Sequence, residues 1–96
     1  MRVSDEIAAE HPALAGHFPG NPIVPGVLLV SRVCSAVAVA HGGAVGAVPV
    51  VKFHAPLKPA ERFDIDVEPA GAGRYRFKVV RGDTLIATGT VHAAGA

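Results

Sequence analysis

Two neighbouring segments, residues 61–68 and 74–79, alternate strictly between apolar and charged side chains. This period of two is typical of half-buried antiparallel strands. The apolar positions are Phe63, Ile65 and Val67 in the first segment and Tyr75, Phe77 and Val79 in the second. Residues 69–73, which contain one Pro and two Gly, connect the segments. The pattern therefore predicts a β-hairpin with one buried and one solvated face.

The charged positions of this hairpin predict its register. The first segment carries mainly carboxylates and the second carries only cations at the outer positions. Opposite charges across a strand pair stabilise it. The register that achieves this pairs Glu68 with Arg74, Asp66 with Arg76 and Asp64 with Lys78.

Three further segments are predicted as strands. They are residues 47–54, residues 84–92 after a tight turn at Gly82-Asp83, and a shorter strand over residues 2–9. A turn of two residues and a turn of three residues bring different side chains to the core, because strand faces alternate. The sequence leaves open whether Leu85 or Ile86 faces inward.

The segment Val27–His41 is predicted as a helix. It lies between Pro25-Gly26 and Gly42-Gly43, which are start and stop signals, and it is too long for a typical strand. It is apolar almost all round, so a single sheet leaves part of it uncovered. We expect an α+β arrangement, with about five antiparallel strands curved around a central helix and a second subunit covering the rest, most simply in a two-fold dimer.

Composition narrows the class of protein. A length of 96 residues predicts a single domain over 1–96, and 50% hydrophobic with 18% charged residues excludes disorder. A net charge of +1 gives no global field for nucleic acid. The longest apolar stretch, residues 27–40, is shorter than the ~20 residues of a membrane span. The lone Cys34 and the absence of a secretory signal lead us to expect a cytoplasmic protein.

The loop before the helix carries the most specific motif. Residues 16–27, GHFPGNPIVPGV, resemble the signature loop HFPG-x-P-[VI]-x-PGV of the hot-dog-fold 3-hydroxyacyl-[acyl carrier protein] dehydratases. The resemblance extends to residues 51–59 and 82–87 and spans essentially the whole chain. The opening HPAL at residues 11–14 and the short length look most like the compact subgroup encoded with aryl polyene lipid biosynthesis.

The loop histidine is the candidate general base. His17 lies in a rigid Pro/Gly segment, and an imidazole with a pKa of ~6.5 titrates near working pH. The resemblance implies that the Gly26 N–H binds the thioester carbonyl and that the Ile23 carbonyl orients His17. It also implies substrate contacts by Phe18, Pro19, Gly20, Ile23, Pro25, Val27 and Val30. The structural alternative is a tight corner that His17 merely caps.

One position departs from the family pattern. The family has an acidic residue fourteen residues after the histidine, which reaches the site across the dimer interface, and here that position is Ser31. A serine hydroxyl is a poor proton donor near neutral pH. A water held by Ser31, charge stabilisation by Arg32 or an acid from a different subunit are the possible replacements. Alternatively, Ser31 and Ser35 simply bond to helix carbonyls.

The remaining polar candidates have simpler structural explanations. Arg32 is expected to form a structural ion pair, and Cys34 is expected to be a buried, inert thiol. We expect His11 at a loop or strand end, His54 as a surface contact at a strand end, His41 at the helix C-terminus and His92 in a frayed tail. The histidine spacings do not fit a metal site on a helix, so we expect no metal and no cofactor.

The resemblance implies dehydration of a 3-hydroxyacyl thioester on acyl carrier protein to the trans-2-enoyl thioester, by a homodimer or a dimer of dimers. A cationic patch of Lys58, Arg62 and Arg81 is a candidate docking site for the acidic carrier. Two alternatives stay open. One is a hot-dog acyl thioesterase, and the other is a non-catalytic or partner-dependent subunit that binds acyl chains or pairs with an unlike hot-dog chain.

Overall fold

A computed structural model of the chain describes residues 1–8 and 23–94, which form one helix packed on a five-stranded antiparallel sheet. In chain order the elements are β1 (Arg2–Glu6), α1 (Gly26–His41), β2 (Val45–Phe53), β3 (Arg62–Pro69), β4 (Arg74–Arg81) and β5 (Thr84–Ala93). The strand order in the sheet is β1-β3-β4-β5-β2, so β1 and β2 are its edges. The predicted α+β class and number of strands are confirmed.

Local backbone conformation sets both ends of α1. Pro25 has φ −59° and ψ 139°, an extended conformation, and its carbonyl accepts the Leu29 N–H at 3.3 Å. At the other end Gly42 has φ 78° and donates its N–H to the Ala38 carbonyl at 2.9 Å. A left-handed glycine of this kind ends many helices. The helix therefore begins one residue before the predicted Val27 and ends where the sequence predicted.

The core lies between one side of α1 and the inner face of the sheet. The helix buries Leu29, Val33, Ala36 and Val37. The inner face of the sheet contributes Phe63, Ile65, Val67, Phe77, Val79, Ile86, Ala87 and Val91. On the other side of the helix, Val27 is 82% and Val39 is 76% exposed. One sheet thus covers one side of an apolar helix, as the sequence pattern predicted.

The hairpin has the predicted faces, but its predicted register is wrong by two residues. Asp66 lies opposite Lys78 and Glu68 lies opposite Arg76. The loop is shorter than expected, because the Ala70 N–H reaches the Arg74 carbonyl at 2.8 Å and closes a three-residue turn. Gly71 and Gly73, at φ 120° and 66°, make that tight turn possible. A shift of two residues keeps every side chain on its face, so alternation alone does not reveal it.

The second turn resolves the open alternative between Leu85 and Ile86. Arg81 pairs with Thr84 around the two-residue turn Gly82-Asp83, in which Gly82 has φ 57°. Val80 then pairs with Leu85 while Val79 pairs with Ala87, which leaves Ile86 as the extra residue of a β-bulge. Ile86 is 1% exposed and faces the core.

The edge strand β1 is shorter than the predicted segment 2–9 and is held by polar contacts. The Met1 ammonium group donates to the Val67 carbonyl at 2.8 Å. The Arg2 guanidinium binds both carboxylate oxygens of Asp66, at 2.6 and 2.8 Å. These bonds fix β1 on β3. In the described part of the chain, no helix is both long and apolar enough to cross a membrane.

We predict that Gly89→Ala destabilises the fold. An added Cβ at position 89 would clash with the Val50 backbone carbonyl oxygen and lie 2.6 Å from Cε2 of the buried Phe77 ring. Overpacking of this kind costs roughly 1–3 kcal/mol. Urea unfolding should show this loss in the free energy of unfolding. Gly43→Ala is the control, because its nearest atom would be 3.6 Å away, and an equal effect of both variants would contradict the assignment.

We also predict a pH-dependent contribution from the Arg2–Asp66 pair. The hydrogen bond from Arg2 lowers the pKa of Asp66. A lowered folded-state pKa stabilises the protein above the unfolded pKa of ~3.9, and the effect disappears as the pH falls through the folded-state value. Arg2→Gln should therefore raise the Asp66 pKa in an NMR titration and reduce stability at pH 7 but not at pH 2. Arg74→Gln is the control and should change neither the Asp66 pKa nor the stability at pH 7. A stability loss from Arg2→Gln that persists at pH 2 would contradict this account.

Candidate active site

The start of α1 presents unpaired backbone donors. The first N–H groups of any helix lack partners within the helix. Among the described residues, no acceptor binds the N–H of Gly26 or Val27, and no side chain caps the helix at Pro25. These two N–H groups are available to a carbonyl oxygen on which negative charge develops.

An apolar pocket of about 460 Å³ adjoins this helix start. Its described lining comes from the start of α1, the end of β2 with the following loop, and the bulge of β5. These residues are Ile23, Val24, Gly26, Leu29, Phe53, His54, Ala55, Pro56, Leu57 and Ile86. The volume lies within the ~300–1,000 Å³ of small-molecule sites. The lining suits an aliphatic chain and contains no carboxylate.

The Phe53 ring covers the helix start at Gly26. A Cβ added to Gly26 would lie 2.7 Å from Cζ of this ring, which is closer than real Cβ contacts. Glycine at position 26 therefore lets an aromatic ring pack directly on the helix backbone. Phe53 is 55% exposed, so part of its ring faces solvent at the edge of the pocket.

Backbone hydrogen bonds hold the pocket walls in place. The Val24 N–H donates to the Leu57 carbonyl at 2.8 Å, which ties the segment before α1 to the loop after β2. The Ile86 carbonyl accepts the N–H groups of His54 at 2.8 Å and Ala55 at 3.4 Å. The bulge at Ile86 thus supplies both an apolar side chain to the pocket and an acceptor for its wall.

The structure places the predicted site residues in two groups. Gly26 and Ile23 line the pocket, and Pro25 lies between them in the chain. Val27 is exposed and Val30 is half-buried, and neither is among the pocket residues. His17, Phe18, Pro19 and Gly20 lie outside the described residues, as does His11.

Ser31 lies on the uncovered side of α1, away from the pocket of its own chain. It belongs to a set of residues spaced four apart that we call the helix stripe, consisting of Val27, Ser31, Ser35 and Val39, all exposed. The Ser35 hydroxyl donates to the Ser31 carbonyl at 3.2 Å. This confirms for Ser35 the expected bond to a helix carbonyl, whereas Ser31 presents its own hydroxyl to the surface.

Arg32 forms the expected structural ion pair. Its Nη1 lies 2.9 and 3.0 Å from the two carboxylate oxygens of Asp5. Both side chains are partly buried, and the bond ties α1 to the edge strand β1. The Arg32 guanidinium is therefore held at β1, and within the described part of the chain it does not line the pocket.

The other titratable candidates have structural surroundings. His54 Nε2 lies 3.0 Å from the Thr88 hydroxyl on the surface, and His41, the last residue of α1, contacts the Tyr75 hydroxyl at 2.7 Å. The expectation that His92 lies in a frayed tail is wrong, because β5 extends through it. Burial raises the pKa of the Cys34 thiol, which makes it less reactive. Within residues 1–8 and 23–94 no cluster of His, Cys, Asp or Glu could hold a metal ion.

Sequence reasoning missed Phe53 and Ile86 as pocket residues. Phe53 is the last residue of β2. It lies within residues 51–59, which resemble the dehydratase family, and that resemblance was the available signal. Ile86 enters the pocket through the β-bulge, which the alternation of its strand does not reveal.

Comparison with known proteins links this geometry to one family. The family of ApeI-like proteins, described as ApeI dehydratase, matches residues 1–90. A 3-hydroxyacyl-[acyl-carrier-protein] dehydratase FabZ from Symbiobacterium thermophilum is 32% identical over 92% of this chain and 71% of its own length. A FabZ from Natranaerobius thermophilus is 31% identical over 86% of this chain and 68% of its own length.

Solved structures share the fold. A chain of the dehydratase heterocomplex ApeI:P from Xenorhabdus doucetiae superposes with a TM-score of 0.80 at 21% identity, covering 95% of this chain and 83% of that one. The F36A mutant of the fluoroacetyl-CoA-specific thioesterase FlK gives 0.76 at 15% identity, covering 95% and 84%. At these identities the superpositions establish the hot-dog fold alone, while the match over residues 1–90 shows that the chain belongs to the ApeI-like dehydratase family.

Proposed function

We propose that this chain is a hydro-lyase that removes water from a 3-hydroxyacyl thioester on acyl carrier protein and gives the trans-2-enoyl thioester. The observation that carries the proposal is the Gly26 N–H, which binds no acceptor among residues 1–8 and 23–94 and adjoins an apolar pocket in a member of a dehydratase family. Fatty-acid-like and aryl-polyene-like acyl chains both suit the lining. Residues 1–96 act as one hot-dog domain in this proposal, and the cytoplasm is the proposed location.

The helix start performs the electrostatic part of the reaction. When the α-proton leaves, negative charge moves onto the thioester oxygen, and the Gly26 N–H donates a hydrogen bond to it. Preorganised donors of this kind in an apolar surrounding are typically worth about 2.7–4 kcal/mol of barrier each. The acyl chain extends along Leu29, Leu57 and Ile86, away from the polar helix start.

Proton transfer is assigned to His17 and Ser31. His17 takes the α-proton, the bond between the β-carbon and its hydroxyl breaks, and the hydroxyl leaves as water after receiving a proton. That proton comes from the His17 imidazolium, directly or through a water held by the Ser31 hydroxyl. One proton and one hydroxyl group thus leave the substrate together as water.

A dimer brings Ser31 to a second pocket. The helix stripe of Val27, Ser31, Ser35 and Val39 is exposed in the single chain, and two of its four residues are valines. Burying both valines against another hot-dog subunit removes apolar surface from water. Since Ser31 does not face its own pocket, it serves the site of the neighbouring subunit in a homodimer or a dimer of dimers.

The exposed Ser31 also supports a second candidate function. At the position of the family's acid, a homodimer offers the Ser31 of the neighbouring subunit, whereas an unlike hot-dog subunit could contribute a carboxylate there. The chain would then be a partner-dependent or acyl-binding subunit. A thioesterase has less support, because the described lining of the pocket lacks the carboxylate that would activate a water.

Two substitutions test the proposed chemistry. His17→Ala should lower kcat for a 3-hydroxyacyl-carrier substrate by 10²–10⁴-fold, the usual contribution of a general base. Circular dichroism should show an unchanged fold, and His41→Ala, which removes a contact to Tyr75 at the other end of α1, should cost less than tenfold. Normal turnover by His17→Ala would contradict the assignment.

Ser31→Glu separates the two candidate functions. If the wild-type chain is inactive alone and Ser31→Glu is active, the site lacks only an acid, which supports the partner-dependent subunit. If the wild-type chain is active and Ser31→Glu is impaired, Ser31 or its water already transfers the proton. Absence of turnover in both proteins with short, long and polyene chains would refute the dehydratase proposal.

The helix stripe predicts the assembly. Val39→Glu places a charge within the proposed contact, where desolvation penalises it, and should convert a dimer at micromolar concentration into a monomer. Light scattering measures this directly. Ala72→Glu, on the exposed β3–β4 loop, is the control and should leave the dimer intact. A wild-type monomer, or a dimer that persists in Val39→Glu, would contradict the proposed interface.

A further inference from the structure

The outer face of the sheet, on the side away from α1, has a concave surface of about 570 Å³ that the proposed chemistry does not use. We call it the outer trough. Arg2 of β1 and the carboxylates of Asp66 and Glu68 of β3 line part of it. The other side chains that matter here are Val50, Lys52, Arg76, Lys78, Thr88 and Thr90. They alternate with inward-facing core residues along β2, β4 and β5, so they point away from the helix.

Strand register brings the cations of the trough together. Thr88 pairs with Lys52 on one side and with Lys78 on the other. Neighbouring strands lie about 4.8 Å apart, so the two lysine backbones are about 10 Å apart across the threonine. Two lysine side chains can converge over that distance on one anionic group. In the next row, Thr90 pairs with Arg76 and Val50.

The trough contains more cations than carboxylates, with Arg2, Lys52, Arg76 and Lys78 against Asp66 and Glu68. Asp66, in register with Lys78, already binds Arg2 at 2.6 and 2.8 Å, and Glu68 lies opposite Arg76. Within the described part of the chain, no carboxylate lies at ion-pair distance from Lys52 or Lys78. The trough therefore presents two lysines without an ion-pair partner on either side of the Thr88 hydroxyl.

The patch expected from the sequence also contains a carboxylate, which is bound within the patch. Arg81 donates to Glu61 at 3.1 Å and to the Pro56 carbonyl at 3.0 Å. The same Glu61 oxygen accepts the Lys58 backbone N–H at 2.8 Å. A carboxylate thus lies among Lys58, Arg62 and Arg81, and it weakens their attraction for an acidic partner.

The trough is close to the candidate active site along the chain. Lys52 directly precedes Phe53, whose ring covers Gly26 on the inner side of the sheet. His54 follows, lines the pocket, and contacts Thr88 of the trough through its ring at 3.0 Å. A partner held in the trough is therefore next to the strand end that forms the pocket wall.

We propose that an acidic segment of the acyl carrier protein docks in the outer trough, with its carboxylates on Lys52, Lys78 and Arg76 and with hydrogen bonds from Thr88 and Thr90. The inference rests on the proposed function, which makes an acidic carrier the partner. Exposed charges of this kind mainly accelerate association and are screened by salt. Their effect should therefore appear in binding and KM, and not in the chemical step.

The first measurement is direct binding of the carrier. Isothermal titration calorimetry at low salt compares the wild-type protein with Lys52→Glu, Lys78→Glu and the double variant. Each single change should weaken binding about threefold to tenfold, and the double change by more than tenfold. Lys58→Glu and Arg62→Glu, in the rival patch, are the matched charge reversals and should stay within twofold. Equal weakening by both pairs would overturn the assignment to the trough.

The second measurement separates docking from catalysis. The trough variants should raise KM for the carrier-borne 3-hydroxyacyl substrate without changing kcat, and leave turnover of the corresponding pantetheine thioester unchanged. An unchanged KM for the carrier, or an equal increase for both substrates, would overturn the docking proposal. If the wild-type protein shows no turnover but binds the carrier, and the trough variants lose that binding, the dehydratase proposal is refuted and the docking proposal is supported. Lys52→Gln and Lys78→Gln provide neutral variants if a charge reversal impairs folding.

Discussion

The rest of the structure depends on the packing of one side of α1 against a single curved sheet. Leu29, Val33 and Val37 are buried against the inner face, and this fixes where the helix starts relative to β2 and β5. The pocket is the space left between that start and the two strands. The same packing leaves the opposite side of the helix, with its valines, exposed. A site at the helix start and an apolar surface for another subunit are therefore two consequences of one constraint.

Two glycines allow aromatic rings to lie where a side chain would otherwise be. Gly26 accepts the Phe53 ring over the first helical turn, and Gly89 accepts the Phe77 ring inside the core. The two contacts have different consequences because the rings differ in exposure. Phe77 is enclosed, so its contact is rigid and contributes to stability. Phe53 is half exposed, so its contact lies at the surface, over the backbone at the helix start.

The charges on the outer face of the sheet divide into two regions. On the side of β1, Arg2 forms ion pairs with two carboxylates of β3, those of Asp66 at 2.6 Å and Asp64 at 3.5 Å. On the side of β2, Lys52 and Lys78 of the outer trough lie on either side of Thr88, although Lys78 and Arg76 also have the carboxylates of Asp66 and Glu68 opposite them on β3. A chain with a net charge of only +1 thus has a local excess of cations on this face, because Asp66 is bound by Arg2.

The sequence by itself determined the elements and their faces. Alternation in β3 and β4 identified Phe63, Ile65 and Phe77 as core residues, and the Pro-Gly and Gly-Gly pairs bounded α1, because these signals depend on the backbone of a few consecutive residues. The motif in residues 16–27 identified the family for the same reason: it is a local pattern.

Only the tertiary structure decided the register, the bulge and the partners of the charged groups. The observed register of the β3–β4 hairpin differs from the predicted one by two residues, which leaves every side chain on its predicted face. The bulge at Ile86 depends on how β5 pairs with β4 and contacts the end of β2. Arg32 binds Asp5, which lies 27 residues earlier in the sequence. Ser31 is not among the residues that line the pocket of its own chain. Alternation along a strand specifies which face a residue occupies, but not which distant residue it meets, because that depends on how the elements pack together.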